Sequence, residues 1–129
     1  MYSIFIDDIR NPHVLDRQWT ICRSYEEAVE IVSRQGMPSY VSFDHDLGTE
    51  KTGYDFALFL VNKMMDDRDG DNENLRQMIS DFDFTVHSAN PIGAENITNL
   101  LNRFIEFRGD LQDPLRIIFE IAFFEKHMI

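Results

Sequence analysis

Three short apolar runs in this 129-residue chain end in residues able to do chemistry: Asp7 and Asp8, then Asp44, His45 and Asp46, then His87 and Ser88. Carboxylates brought close together repel unless one is protonated or a cation lies between them. A hard divalent ion such as Mg²⁺ or Mn²⁺ suits aspartate oxygens, while the histidines leave Mn²⁺, Fe²⁺ or Zn²⁺ open. Ser88, Asn90 and Gly93 bring a hydroxyl, an amide and unobstructed backbone to the expected start of a helix, where unpaired N–H groups stabilise phosphate. Arg10 fits two readings equally: a two-pronged clamp on phosphate, or an ion pair with its many acidic neighbours. Phosphate handling, with a bound metal, is the chemistry these residue types suggest.

Whether those residues meet depends on the elements that carry them. Residues 2–6, Trp19–Cys22, 39–43 and 82–86 read as strands, and the Pro-containing stretch from Ile9 to Gln18 reads as a loop. Ser24 and Glu27 make a capping-box signature ahead of a helix that Gly36 ends. Thr52 suits the start of a second helix with Ala57, Leu60, Val61 and Met64 on one face. The acidic stretch DDRDGDNEN is expected to be a solvated loop, because its glycine is misplaced for a calcium loop. Leu75, Met78 and Ile79 suggest a short helix. Asn90 and Pro91 suit the cap and first turn of another, ended by Gly109. Residues 114–129 fit a strand or a helix, with length slightly favouring the helix.

Strands alternating with helices imply a mostly parallel sheet covered on both faces, with ligands bound beyond the carboxyl ends of its strands. Three acid- or histidine-bearing strand ends would then face one crevice. A lone aspartate after a strand is usually a turn or cap residue, so the coincidence at three ends of four carries the weight. Asp55 and Asn96 stand evenly between structural and functional roles, while His13 and His127 are expected to be structural or surface residues.

Composition sets the bounds. The length is that of one domain, spanning 1–129, and eleven phenylalanines in a 43% hydrophobic sequence supply a core. A net charge of −11 disfavours duplex DNA and anionic membranes, but not a cyclic nucleotide or RNA terminus held at one site. No apolar run reaches the ~20 residues a membrane span requires. The opening MYSIFIDDIR lacks signal-peptide features and reads as native and structural, and Cys22 reads as a buried thiol in a reducing cytoplasm. The phenylalanine- and isoleucine-rich segment 110–129 is expected to be buried within the chain or between two copies of it.

The order of an acidic pair, a later Asp44 and then Ser88 resembles receiver domains of two-component signalling. IFIDDIRNP, VSFDHDLG, TGYD and VHSANPIGAENI together are more similar to the cyclic-phosphate-processing receiver-like domains, over residues 1–105. The resemblance implies a receiver-like (flavodoxin-like) three-layer α/β domain; this sequence departs from ordinary receivers in that its first helix reads as reduced to the Pro-containing loop, and residues 110–129 read as a C-terminal extension outside the resemblance. It also implies a metal-dependent phosphoesterase acting on RNA 2′,3′-cyclic ends or cyclic nucleotides. Asp7, Asp8 and Asp44 would hold the metal, with Asp46 assisting. His45 and His87 would be acid, base or further ligands, and Ser88 and Asn90 would contact phosphate. The alternatives are a receiver phosphorylated on Asp44 and a module that binds a cyclic nucleotide without turnover. A histidine beside Asp44, and no lysine ending a fifth strand unless Lys126 serves, weigh against phosphorelay.

Overall fold

The strand Ser3–Ile6 (β1) is buried at every position, as its unbroken apolar sequence demands of a central parallel strand. In this computed structural model, which describes residues 1–107 except positions 14, 69 and 71, β1 pairs on one side with Trp19–Cys22 (β2) and on the other with Tyr40–Phe43 (β3). Asp83–Val86 (β4) completes the sheet beside β3. All pairings are parallel and the order is β2-β1-β3-β4, which is the flavodoxin-like arrangement.

Helices Tyr25–Gln35 (α1), Gly53–Arg68 (α2), Glu73–Asp81 (α3) and Pro91–Phe107 (α4) link and follow the strands. Local chemistry sets their ends. The Ser24 hydroxyl accepts the Glu27 N–H at 3.1 Å, Asn72 caps α3 by accepting from Leu75, and Gly36 closes α1 with its N–H on Val32. The acidic stretch after Met65 departs from expectation: Asp66, Asp67 and Arg68 continue α2, and Lys63 pairs with Asp67 one turn away at 3.8 Å. Packing of the preceding apolar face outweighs the polar composition there.

α2 packs against α1, α3 and α4. Ile4, Ile6, Val41 and Phe43 of the sheet meet Val32, Phe56, Leu60, Met64, Ile97 and Leu101 in the core, all inaccessible to solvent. Strand register places Phe5, Trp19, Tyr40, Ser42 and Thr85 on alternate positions, facing the opposite side. On that side no helix joins β1 to β2 among the described residues; an irregular loop crosses instead, and its Arg17 lies 3.9 Å from the Tyr40 ring centre. The first helix of the sequence-derived expectation is indeed reduced.

Cys22 is buried, and burial with the nearby Glu27 charge pushes its thiol up to about 12, which makes it an inert core residue. No described helix is long and apolar enough to cross a membrane. Gly109, Lys126, His127 and the whole of segment 110–129 lie outside the described residues.

Leu60 is fully buried between sheet and helices. Leu60→Ala should lower unfolding free energy by about 2–5 kcal/mol, read from urea denaturation; a loss below ~0.5 kcal/mol would contradict this packing.

Candidate functional site

Each chemical residue at the sheet edge is placed by one further rung of the ladder. Asp7 N–H bonds Cys22 O at 3.0 Å, Asp44 N–H bonds Ile6 O at 3.0 Å, and His87 N–H bonds Phe43 O at 2.8 Å. The first residue after β1, β3 and β4 is therefore still held in sheet geometry, and the three side chains leave one edge together. Asp7, Asp8 and Asp44 each present a carboxylate oxygen within 4.8 Å of the others.

Asp7 is completely buried. Its Oδ1 accepts the backbone N–H groups of Ile9 (2.9 Å) and Arg10 (2.7 Å), and its Oδ2 accepts Arg10 Nε at 2.8 Å and His87 Nε2 at 3.0 Å. Burial alone would raise its pKa, but these donors together with the Arg10 charge outweigh it and hold the carboxyl below its ordinary value. Arg10 also reaches the buried Asp44, with Nη2 3.3 Å from Oδ1. Of the two readings left open for Arg10, the ion pair is thus the one formed here, and the acids it joins belong to the cluster itself. Arg23, immediately after β2, donates to the carbonyls of Asp7 and Arg10 and to the Asn11 side chain, pinning the loop that bears Asp8.

His87 is stacked on Phe5, with ring centres 4.4 Å apart and planes 7° from parallel. Because Nε2 faces a carboxylate, it carries the proton, leaving Nδ1 to accept the Ser42 hydroxyl at 2.7 Å. Ser42 Oγ in turn accepts from Thr85 at 3.2 Å. Burial pulls the His87 pKa below the histidine norm and Arg10 adds to this, against the opposing pull of Asp7 and Asp44. A neutral imidazole, with both nitrogens engaged, is the resting form.

His45 points toward a different group. Its Nδ1 is 2.9 Å from Asp46 Oδ1, and that hydrogen bond is the main reason the exposed Asp46 carboxyl sits below its normal range. Asn90 Nδ2 lies 3.4 Å from both Asp46 oxygens, while Asn90 Oδ1 caps α4 by accepting the Gly93 N–H at 3.0 Å. Ser88 Oγ accepts the Asn90 N–H at 3.1 Å. Both residues expected at a phosphate thus also shape the start of α4. Two glycines make these approaches feasible. A Cβ on Gly53 would stand 1.7 Å from the Asp44 carbonyl oxygen, and one on Gly93 would stand 2.3 Å from Cγ of the His45 ring.

Asp55 resolves as a capping residue, its Oδ2 accepting both the N–H (2.8 Å) and the hydroxyl (3.2 Å) of Thr52. Asn96 is exposed on α4, and His13 is an exposed loop residue. Sequence reasoning passed over Arg23, Ser42 and Thr85 as site residues. Arg23 ends β2 at the same edge, and Ser42 is a hydroxyl within an apolar central strand; both signals were available in the sequence.

Residues 2–103 match the family model described as "cyclic-phosphate processing receiver domain". No curated protein and no solved structure gave a match.

A depressed carboxyl stabilises the fold fully above the unfolded aspartate pKa of ~3.9 and loses that contribution as pH falls through the folded value. Asp7→Asn should therefore lower stability at pH 7 and flatten the acid limb of a urea-midpoint profile below about pH 5; an unchanged acid limb there would refute the assignment. Gly93→Ala should displace the His45 ring and break its Asp46 contact without unfolding, seen as a shift of the His45 ring resonances with little change in melting temperature.

Proposed function

The chain belongs to the family of cyclic-phosphate processing receiver domains, and we propose on that premise that it is a metal-dependent phosphoesterase opening cyclic phosphates, either RNA 2′,3′-cyclic ends or cyclic nucleotides. The observation that carries the reading is the convergence of the Asp7, Asp8 and Asp44 carboxylates within 4.8 Å at the carboxyl edge of a parallel sheet. An all-oxygen set of three acids, two of them buried, fits a hard divalent ion, Mg²⁺ or Mn²⁺ before Zn²⁺. Held by Asp7, Asp8 and Asp44, such an ion would polarise a phosphoryl oxygen and make a water that it binds more acidic.

The protein's own groups divide the remaining work. Arg10, partly exposed and ion-paired to Asp7 through Nε and to Asp44 through Nη2, orients a phosphate oxygen through its remaining guanidinium N–H groups. With Nδ1–H donating to Asp46, the neutral His45 keeps its lone pair at Nε2, so Nε2 takes a proton from the attacking water and, as the imidazolium so formed, passes it to the departing ribose oxygen. His87 has both nitrogens engaged within the protein and acts by holding Asp7 in orientation, as partners of ligating carboxylates do. Ser88 and Gly93 bring a hydroxyl and close backbone approach beside the phosphate at the start of α4.

A receiver phosphorylated on Asp44 would use the same three acids. Against it, Arg10 is the cation beside Asp44, and the described lysines Lys51 and Lys63 are engaged elsewhere, over the Tyr25 ring and with Asp67. The high acidic charge also favours a small phosphate ester or a strand end over duplex DNA.

Incubation with Mg²⁺, Mn²⁺ or Zn²⁺ and a panel of 2′,3′- and 3′,5′-cyclic nucleotides tests the proposal through ring opening. Asp44→Asn and His45→Gln should each cut turnover by about 10²-fold or more, and His87→Ala should weaken metal binding ~10–100-fold. Full turnover in the first two variants would sink the assignment. So would acid-labile phosphate on Asp44 from a small phosphodonor with no ring opening.

A further inference from the structure

The face of the sheet opposite the described helices α1–α4 carries a cavity of about 310 Å³ beneath the β1–β2 loop. Its floor is aromatic, formed by Phe5, Trp19 and Tyr40, whose rings meet edge to face at 5.7 and 5.9 Å. Arg17 closes one side from the loop, its guanidinium 3.9 Å from the Tyr40 centre and 5.4 Å from that of Trp19. The Thr85 hydroxyl and the loop residues His13 and Asp16 add hydrogen-bonding groups to the lining. His87 lines the cavity as well, and the same imidazole touches Asp7 at 3.0 Å. One side chain therefore separates this space from the carboxylate cluster.

We propose that this cavity is a nucleobase subsite, so that the ligand of the neighbouring phosphate site is a nucleoside cyclic phosphate or an RNA end rather than a cyclic phosphate without a base. The inference rests on the phosphate reading of the Asp7, Asp8 and Asp44 cluster. Three features point to a planar heteroaromatic group. Aromatic rings and a flat guanidinium are the surfaces on which bases stack. The exposed His13 and Asp16 and the Thr85 oxygen can meet the polar edge of a base. The volume falls within the range of small-ligand pockets, which begins at ~300 Å³. The cavity also has a cause in the fold of the described residues: between β1 and β2 an irregular loop crosses this face in place of a helix.

Trp19, the chain's single tryptophan, reports on the cavity directly. Its emission is titrated in the full chain with adenosine, with adenosine 2′,3′-cyclic phosphate and with glycerol 1,2-cyclic phosphate, which lacks a base. Adenosine and the cyclic nucleotide should change Trp19 emission saturably, and the base-free compound should not. Tyr40→Leu should weaken the cyclic nucleotide about tenfold, and Arg17→Gln, a change in the loop that leaves the sheet intact, severalfold. Equal affinity for the nucleotide and the base-free compound, or nucleotide affinity unchanged in both variants, would overturn the subsite. Ring opening of the glycerol compound reads the carboxylate cluster alone. Turnover of it with no preference for the nucleotide removes the subsite and keeps the esterase; saturable binding of adenosine and the nucleotide with no ring opening does the reverse.

Discussion

The site is organised around one buried negative charge. Asp7 ends the central strand with no exposure to solvent, where an unpaired carboxylate is untenable. Its four hydrogen bonds recruit the backbone after it, the Arg10 side chain and the His87 ring, so neutralising this one group shapes the loop, brings a cation to Asp44 and sets the tautomer of a histidine eighty residues away. Remove that charge and Arg10, His87 and the loop lose their common partner. The depressed carboxyl is the electrostatic record of that arrangement.

Close backbone approach is the second constraint. The segment after β3 runs so near the start of α2 that only glycine fits at position 53, and its N–H bonds the His45 carbonyl at 2.8 Å. Across the site, α4 comes close enough for the His45 ring to occupy the space a side chain at position 93 would need. Helix starts thereby act as walls for His45 and Asp46. The two histidines, similar in sequence context, come to differ in kind: His45 pairs with an exposed acid, whereas His87 is stacked, partly buried and bonded through both nitrogens.

The β1–β2 connection has the opposite character. Among the described residues this face of the sheet is held by Arg17 over aromatic rings and by Arg23 on loop carbonyls, interactions that leave a cavity. His87, stacked on Phe5, stands between that cavity and the acids. Among the described residues, packing on one face is dense and apolar, and on the other it is mixed.

Much of this was legible in the linear order of residues. Apolar runs ending in Asp7, Asp44 and His87, a capping box at Ser24, and Asn90-Pro91 before a helical stripe are local signals, and local sterics and hydrogen bonding act on neighbours in sequence. They were enough for a parallel α/β sheet, the gathering of its strand-end residues and the reduced first helix. The extent of α2 was not legible, because tertiary packing overrode a polar composition. Nor was the resting role of Arg10, since an ion pair and a phosphate clamp require the same residue type. The division of labour between His45 and His87, the Ser42–Thr85 link and the cavity beneath the loop were decided only by the tertiary structure. They depend on contacts between residues far apart in sequence, such as Asp7 and Ser42 with His87, and sequence spacing carries no information about which of two imidazole nitrogens meets which partner.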